Sequence, residues 1–265
     1  GINAINVYLE PQKLLKKQRI KSTVGFIKQG IKKTNPRTVK KVVKYIRVNG
    51  VRGLKAYIIQ GVNRTEKSYA EWFTENLPSR EELDQQRKTV FDKQPKISII
   101  VPTYRTPEVF LREMIDSVVN QTYGNWELYI ADGSEGDPVV EAILEDYTKK
   151  DSRIKYRLLE KNLGIADNTN AALELATGDY IGLFDHDDIL AENALYEIVN
   201  ALQEDDYDIL YTDEDKISGD GREHNDPNFK PDFSMDLFRS HNYITHFFCS
   251  KAFHHEQNRG IPVRI

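Results

Sequence analysis

Alternating apolar runs and amphipathic stretches divide residues 96–212 into short strands and longer helices. Runs of branched and aromatic residues predict five strands, at 97–101, 126–131, 154–159, 180–184 and 208–211. Helical spacing predicts the segments between them, at 106–119, 139–149, 165–176 and 191–202. The first of these helices has its predicted core stripe at Phe110, Leu111, Met114, Ile115, Val118 and Val119. Regular alternation of strand and helix predicts an α/β fold, a mostly parallel sheet with helices on both faces.

Residues upstream of 96 have helical rather than strand spacing. Residues 66–92 predict two helices, and Ser79 with Glu82 forms a capping box at the start of the second. Gln94-Pro95 interrupts the pattern and marks a boundary. We therefore predict a basic helical N-terminal extension over 1–94, an α/β domain over 95–253 and an atypical tail over 254–265.

The charge of the chain is divided unequally. It contains 37 Lys and Arg against 41 Asp and Glu, yet residues 1–60 hold 15 of the basic residues and one acidic residue, Glu10. In this region a stripe of valines and Ile46 lies beside several lysines. Such a helix is typical of peripheral contact with an anionic membrane, and a solvated face packed on its own domain has the same pattern. Aromatic residues that would stack on bases are sparse, so nucleic acid is not an expected partner.

The composition also indicates the cellular compartment. A single cysteine, Cys249, excludes an intramolecular disulfide within this chain and suits a reducing environment, with the thiol in the core. No apolar run approaches the roughly 18–20 residues of a membrane span, and no signal-peptide pattern opens the sequence. The sequence therefore predicts a cytoplasmic protein, which includes the inner face of the plasma membrane.

Three carboxylates follow the strand predicted at 180–184. Asp185, Asp187 and Asp188 would repel one another unless a cation or several hydrogen-bond donors lie among them. Hard oxygen ligands favour Mg²⁺ or Mn²⁺, so the spacing Asp185-x-Asp187 predicts a divalent-metal site. An acidic turn that caps the following helix is the alternative interpretation.

Further polar and aromatic residues follow the other predicted strands. If the strands are parallel, their carboxyl ends bring together Pro102, Thr103, Tyr104, Asp132, Asn162, Gly164, Asp185 and Asp187. This set suits a nucleoside diphosphate. Tyr104 would stack on the base, Asp132 would contact the base edge and Asp185 the ribose. Asp187 would hold a metal that bridges the phosphates and stabilises a departing diphosphate.

Two common nucleotide-binding folds lack their sequence motifs. No Gly-x-Gly-x-x-Gly follows the strands that end at Val101 and Ala131, which counts against a dehydrogenase-type fold. No Gly-x-x-x-x-Gly-Lys-Ser/Thr is present either, which counts against a phosphate-loop NTPase.

Six segments resemble, in the same order, the family-2 glycosyltransferases with the GT-A fold. They are residues 99–104, 117–122, 126–134, 162–164, 176–180 and 185–188. Within that family the chain is similar to bacterial enzymes that build rhamnose-containing or other cell-wall and capsular polysaccharides. The resemblance implies an inverting transfer from a UDP- or dTDP-linked sugar to a saccharide or polyprenyl-linked acceptor. It also implies that Asp132 contacts the base, Asp185 the ribose and Asp187 the Mn²⁺ or Mg²⁺ cofactor.

The chain departs from the family pattern at several positions. Ala131 stands where many members have a second acidic residue, and Thr169 where they have Arg. The family's general base is an acidic residue in the acceptor-side half, and the tail over 254–265 does not resemble that region. We therefore expect a chain truncated in its acceptor half, with the base absent or supplied by Asp213, Glu214 or Asp215.

The histidines are weaker candidates. His241 and His246 are five residues apart, which places them on opposite faces of a strand and off one face of a helix. The resemblance allows a downstream histidine, His254 or His255, as a further metal ligand.

Three functions fit these patterns. The first is a metal-dependent inverting glycosyltransferase, or its donor-binding part, that extends a lipid-linked saccharide at the inner membrane face. The second is a polyprenyl-phosphate sugar synthase, which transfers the sugar directly to a lipid phosphate. The third is a non-catalytic nucleotide-sugar-binding or scaffold fragment.

Overall fold

A computed structural model describes residues 4–7, 68–219, 221 and 223–252 of the chain. The amphipathic stripe that ends at Ile46 and the tail over 254–265 lie outside these residues. The described elements, in chain order, are β1 (Ala4–Val7), α1 (Tyr69–Asn76), α2 (Arg80–Gln86), β2 (Ile97–Thr103), α3 (Glu108–Val119), β3 (Trp126–Asp132), α4 (Pro138–Lys150), β4 (Ile154–Leu158), α5 (Ile165–Leu173), β5 (Tyr180–Leu183), α6 (Ala194–Glu204), β6 (Ile209–Thr212), β7 (Glu214–Ile217), β8 (His224–Asn228), α7 (Met235–Ser240) and β9 (Phe248–Lys251).

Contacts divide the chain into two compact units. The described part of the larger unit comprises residues 4–7, 78–216 and 226–252, and that of the smaller unit comprises 68–77 with the described residues of 217–225. Because the second segment of the larger unit begins at Pro78, α2 belongs to the same unit as the sheet. The extension over 1–94 stays a prediction. Among the described residues, no helix has the length and apolar character needed to cross a bilayer.

Both helices predicted within 66–92 are present. The predicted capping box starts α2, since Ser79 Oγ accepts from the backbone N–H of Glu82 and Glu82 Oε2 accepts from that of Ser79. Helix α1 has a second capping box, formed by Ser68 and Glu71, that the sequence reading missed. Each box satisfies backbone donors that the first helical turn leaves without a partner.

The larger unit is built on a seven-stranded sheet with the order β1-β6-β9-β5-β2-β3-β4. Strands β5, β2, β3 and β4 are parallel neighbours, and β1 is parallel to β6. Strand β9 is antiparallel and lies between β5 and β6, with Phe248 opposite both Leu183 and Tyr211. The predicted strand at 180–184 is β5, and its central place in the sheet is confirmed.

Successive residues of the inner strands face opposite sides of the sheet, and both sides are covered. On one side Ile99, Val101 and Leu128 join the buried residues of α3, α4 and α6. On the other side Ile100 and Tyr129 pack with residues of α5. Because the side-chain period of a strand is two, a continuous apolar run is needed when both faces are buried. The predicted fold class, a mostly parallel sheet with helices on both faces, is confirmed.

The predicted core stripe of α3 is wrong at one position. Phe110 is 38% exposed and does not belong to the core stripe of α3, whereas its neighbour Leu111 is fully buried. The prediction that Cys249 lies in the core is confirmed, because its thiol is buried in β9. The sequence patterns did not predict β1, β7, β8, α7 or β9, and β1 lies within the stretch predicted to be helical. These elements are only four to six residues long, and the sequence of β8, His-Asn-Asp-Pro-Asn, has low strand propensity.

The amino-terminal ends of the parallel strands form the amino edge of the sheet, where Glu127 is 4% exposed. Its carboxylate accepts from the hydroxyl of Ser98 at 2.6 Å and from the backbone N–H of Thr177 at 2.7 Å. The ammonium group of Lys96 pairs with its second oxygen. Burial alone would raise the pKa of Glu127, but these hydrogen bonds outweigh it and lower the pKa.

Candidate functional site

The opposite ends of the parallel strands form the carboxyl edge of the sheet. Strands β2 and β3 end side by side, with Thr103 paired to Asp132, and β4 ends with Leu158 beside Asp132. Strand β5 ends at Leu183, so Asp185 follows at the same edge. The predicted strand-end residues therefore do share one edge of the sheet.

Asp132 is buried at the carboxyl edge. Its Oδ1 accepts from the hydroxyls of Thr103 and Ser134, both at 2.7 Å, and its Oδ2 accepts from the backbone N–H of Ser134 at 3.3 Å. Each carboxylate oxygen can accept two hydrogen bonds, so Oδ2 keeps the capacity to accept from a base N–H. The Ser134 hydroxyl also accepts from the backbone N–H of Arg105 at 2.7 Å, which ties the β3 turn to the β2 turn. The sequence reading identified Asp132 but missed Ser134.

Tyr104 presents an exposed ring next to this turn. Tyr104 is 38% exposed, and the guanidinium carbon of Arg105 lies 5.1 Å from the centroid of its ring. An aromatic ring needs such an exposed face to stack on a base. Pro102 and Thr103 are the last two residues of β2, directly before Tyr104. Their contact with a nucleotide stays a prediction.

Asn162 and Gly164 shape the loop before α5. The Asn162 Oδ1 accepts from the backbone N–H of Gly164 at 2.9 Å and from Asn168 Nδ2 at 3.0 Å. A Cβ atom on Gly133 would lie 2.9 Å from Asn168 Nδ2 and 3.1 Å from Asn162 Cα, so this loop packs closely on the Asp132 turn. Gly164 has φ of 86°, a conformation that favours glycine. The contacts described for Asn162 and Gly164 therefore lie within this loop and against the Asp132 turn. Their direct contact with a nucleotide stays a prediction.

The second half of the site is an acidic cluster, which we define as Asp185, Asp188 and His246. The imidazole Nδ1 of His246 lies 3.3 Å from Asp185 Oδ2 and 3.4 Å from Asp188 Oδ2. One ligand atom from each residue lies within 4.8 Å of the other two. The side chains are 52%, 41% and 45% exposed in the same order, so the cluster opens to solvent.

The charge of this cluster is incompletely balanced. Burial and the negative charges of Asp185 and Asp187 raise the pKa of Asp188, although the charge of His246 opposes the shift. A divalent cation would relieve the repulsion, and two carboxylates with one imidazole can hold Mn²⁺ or Mg²⁺. The side chains are partly exposed, so a cation held there would also be accessible to phosphate oxygens. The residues therefore fit the predicted type of cofactor.

The cluster differs in membership from the predicted pair Asp185 and Asp187. Asp187 is 61% exposed, and its Oδ1 lies 4.0 Å from the Nδ1 of its neighbour His186. Asp188, which the sequence reading treated as an accompanying acid, takes the place beside His246. Asp187 as a metal ligand stays a prediction.

Strand β9 explains why His246 reaches the cluster. Because β9 is antiparallel to β5, with Phe248 opposite Leu183, the residues just before β9 lie beside those just after β5. His246 thus comes opposite Asp185, 61 positions away in the sequence. His241 lies elsewhere, with its ring 5.9 Å from that of Tyr243, so the two histidines do not act as a pair. No local spacing could have indicated His246. His254 and His255 lie outside the described residues.

The three predicted candidates for a general base follow β6. Glu214 Oε1 accepts from Asn228 Nδ2 at 2.8 Å, and Oε2 accepts from the backbone N–H of His246 at 2.7 Å. Asp213 Oδ1 accepts from the backbone N–H of Lys230 at 2.7 Å. Burial alone would raise the pKa of Glu214, but these hydrogen bonds and the charge of Lys230 outweigh it and lower the pKa. A carboxylate held in this way is poorly suited to remove a proton from an acceptor hydroxyl.

The chain is similar to several known proteins. The chain is 43% identical over 153 residues to the uncharacterized protein y4gI of Sinorhizobium fredii, and the match covers 57% of this chain and 17% of that protein. It is 33% identical over 180 residues to the O-antigen biosynthesis protein RfbC of Myxococcus xanthus, which covers 68% of this chain and 14% of that protein. The chain therefore spans less than a fifth of the length of these two relatives.

A third relative has a more specific name. The chain is 36% identical over 115 residues to the UDP-Glc:alpha-D-GlcNAc-diphosphoundecaprenol beta-1,3-glucosyltransferase WfgD of Escherichia coli, which covers 43% of this chain and 44% of that protein. Among solved structures, TarS 1-349 of S. aureus in complex with UDP is 29% identical, with a TM-score of 0.41, and covers 44% of this chain and 34% of that chain.

The family model described as Glycosyl transferase family 2 matches residues 98–258, which is more than half of the chain. These residues include the Asp132 turn and the whole acidic cluster. The chain belongs to glycosyl transferase family 2.

Proposed function

We propose that this chain is the donor-binding part of a metal-dependent inverting glycosyltransferase that extends a cell-surface polysaccharide on a lipid-linked acceptor. One observation carries the proposal. In a chain of this family, the Asp132 turn and the acidic cluster lie at the same edge of one sheet, as a base site and a phosphate site would.

The described residues take distinct parts in donor binding. Tyr104 stacks on the base, and the Oδ2 of Asp132 accepts from a base N–H. Asp185, Asp188 and His246 hold the divalent cation, with the exposed Asp187 beside them. A bound Mn²⁺ or Mg²⁺ supplies positive charge for the diphosphate leaving group. We also assign the ribose contact to Asp185, because it follows β5 at the same edge of the sheet as Asp132.

An inverting transfer also needs a carboxylate that takes the proton of the acceptor hydroxyl. Lys230 holds Asp213 through its backbone and Glu214 through its side chain. Asp215 is the third candidate that the sequence offers, and it is tested by substitution. Loss of transfer with retained donor binding in Asp215→Asn would support that role, and unchanged transfer would exclude it.

The names of two relatives support the donor and the acceptor. The Escherichia coli relative is named for a UDP-linked glucose donor and a diphosphoundecaprenol-linked acceptor, and the Myxococcus xanthus relative for O-antigen biosynthesis. We infer a UDP- or dTDP-linked sugar and a polyprenyl-linked saccharide for this chain.

Calorimetric titration tests the donor site. UDP and dTDP are titrated into the full chain with and without Mn²⁺, and then into Asp188→Asn and the control Glu174→Gln, which alters an exposed carboxylate paired with Arg157 outside the site. We expect one nucleotide to bind only with Mn²⁺, and we expect Asp188→Asn to weaken binding on the order of 100-fold, which is about 2.7 kcal/mol. The control should bind within about threefold of the unmodified chain. Equal binding with and without Mn²⁺ would contradict the metal site.

Peripheral contact with the inner face of the plasma membrane rests on the basic composition of residues 1–60. Vesicles that contain anionic lipid should sediment with the full chain at low salt and release it at high salt. Replacing the Lys and Arg residues of 1–60 with Gln, which keeps β1 in the sheet, should abolish this binding. Binding that survives the replacement would place the contact elsewhere.

A further inference from the structure

We propose that Lys230 and Glu214 are positioning residues that fix His246 in the acidic cluster. We call the two side chains the clamp. The inference rests on the proposed function, because it assumes that His246 is a ligand of the cation. It assigns Glu214 a positioning role instead of the general-base role for which the sequence made it a candidate.

Lys230 is the centre of the clamp. Its side chain is only 1% exposed, although it is charged. The ammonium group donates to the backbone carbonyl of Thr212 at 2.6 Å, to that of His246 at 2.9 Å and to Glu214 Oε2 at 3.2 Å. An ammonium group has three protons, so these partners use its full donor capacity.

Glu214 completes the hold on His246. The same Oε2 that receives Lys230 also accepts from the backbone N–H of His246 at 2.7 Å. Both main-chain polar groups of His246 are therefore bound, its N–H by Glu214 and its carbonyl by Lys230. The imidazole is left to face Asp185 and Asp188.

The clamp joins segments that are distant in the sequence. Thr212 ends β6, Glu214 starts β7, Asn228 ends β8 and Lys230 follows two residues later. His246 precedes β9. Because hydrogen bonds are directional, convergence of these strand ends on one ammonium group fixes where the residue before β9 can lie.

Stability alone does not account for the pair. Removing an ammonium group and a carboxylate from water costs several kcal/mol each, and apolar residues of similar volume often give equal stability. Apolar side chains would fill the same space but would bind neither the N–H nor the carbonyl of His246. The clamp is therefore suited to positioning His246. Replacing both of its residues with apolar ones tests this role separately from folding.

The test uses Mn²⁺ titration of the full chain, followed by pulsed electron paramagnetic resonance, which detects a nitrogen ligand on Mn²⁺. The clamp is replaced by the double substitution Glu214→Leu and Lys230→Met, which leaves no unpaired buried charge. We expect a folded protein whose Mn²⁺ affinity is about 10–100-fold weaker, the usual effect of losing a partner that orients a ligand. The nitrogen signal should weaken or disappear.

Two controls separate the clamp from the site and from general destabilisation. His246→Ala should remove the nitrogen signal, which establishes the ligand independently of the clamp. Glu127→Gln alters a buried carboxylate at the amino edge and should lower stability without changing Mn²⁺ affinity of the folded protein. A double variant that keeps both the affinity and the nitrogen signal would overturn the clamp alone. Failure of the unmodified chain to bind Mn²⁺, or an unchanged signal in His246→Ala, would overturn the proposed site and the clamp with it.

Discussion

Carboxylates lie at both edges of the sheet, and their surroundings are opposite. At the amino edge, Glu127 is enclosed by hydroxyl, amide and ammonium donors, which lower its pKa. At the carboxyl edge, Asp188 is half-exposed beside two other carboxylates, and burial with their charges raises its pKa. Hydrogen-bond donors of the protein therefore satisfy the carboxylate of Glu127. Asp188 remains subject to repulsion that a cation can relieve.

The difference separates a structural acid from a ligand. Glu127 joins the starts of β2, β3 and β5 through Ser98 and Thr177. The pKa of Asp188 is raised by burial and by neighbouring negative charges, and perturbed pKa values are common at functional sites. Sequence composition does not make this distinction, because each carboxylate is an acid at one end of an apolar strand.

Removing the Glu127 carboxylate should have the largest effect on stability. Glu127→Ala leaves the buried hydroxyl and amide donors of Ser98 and Thr177 without their acceptor, so we expect a loss of about 3 kcal/mol in the free energy of unfolding. Urea denaturation measures it. The matched control is Glu174→Ala, which removes an exposed ion pair with Arg157 and should cost less than about 0.5 kcal/mol. Equal losses in the two variants would show that the amino edge is not a structural centre.

The contribution of Glu127 should also depend on pH. Its pKa in the folded state is lower than the reference value of 4.5, so near and below that pH the unfolded chain binds more protons. The stabilisation is complete above the unfolded pKa and is lost as the pH falls through the folded pKa. Urea denaturation at pH 7, 5 and 4 should show a stability difference between the unmodified chain and Glu127→Gln that shrinks toward acid. A difference that grows toward acid would contradict the direction of the shift.

Substitution of Asp188 should have the smallest effect and the opposite sign. Asp188→Asn removes one of three neighbouring like charges, so in metal-free solution we expect the free energy of unfolding at pH 7 to rise by about 0.5 kcal/mol. High salt should reduce the gain, because it screens the repulsion in the unmodified chain. In the same variant, Mn²⁺-dependent nucleotide binding should weaken on the order of 100-fold. Destabilisation in metal-free solution would instead identify Asp188 as a structural acid like Glu127.

Much of the fold could be predicted because its signals are local. The apolar run that forms β5 is followed directly by Asp185, and the run that forms β3 ends at Asp132. Parallel strands place their carboxyl ends together, so pattern and topology were enough to gather these residues. Local spacing also predicted the capping box of Ser79 with Glu82.

The sequence by itself determined the α/β class, the family resemblance and the carboxylates of the carboxyl edge, because each depends on neighbouring residues. Only the tertiary structure decided which side chains stand beside them. The antiparallel insertion of β9 brings His246 opposite Asp185. Glu214 accepts from the backbone N–H of His246, and the buried Lys230 donates to its carbonyl. Both outcomes depend on pairing between distant strands, for which the residues near Asp185 contain no periodicity or motif.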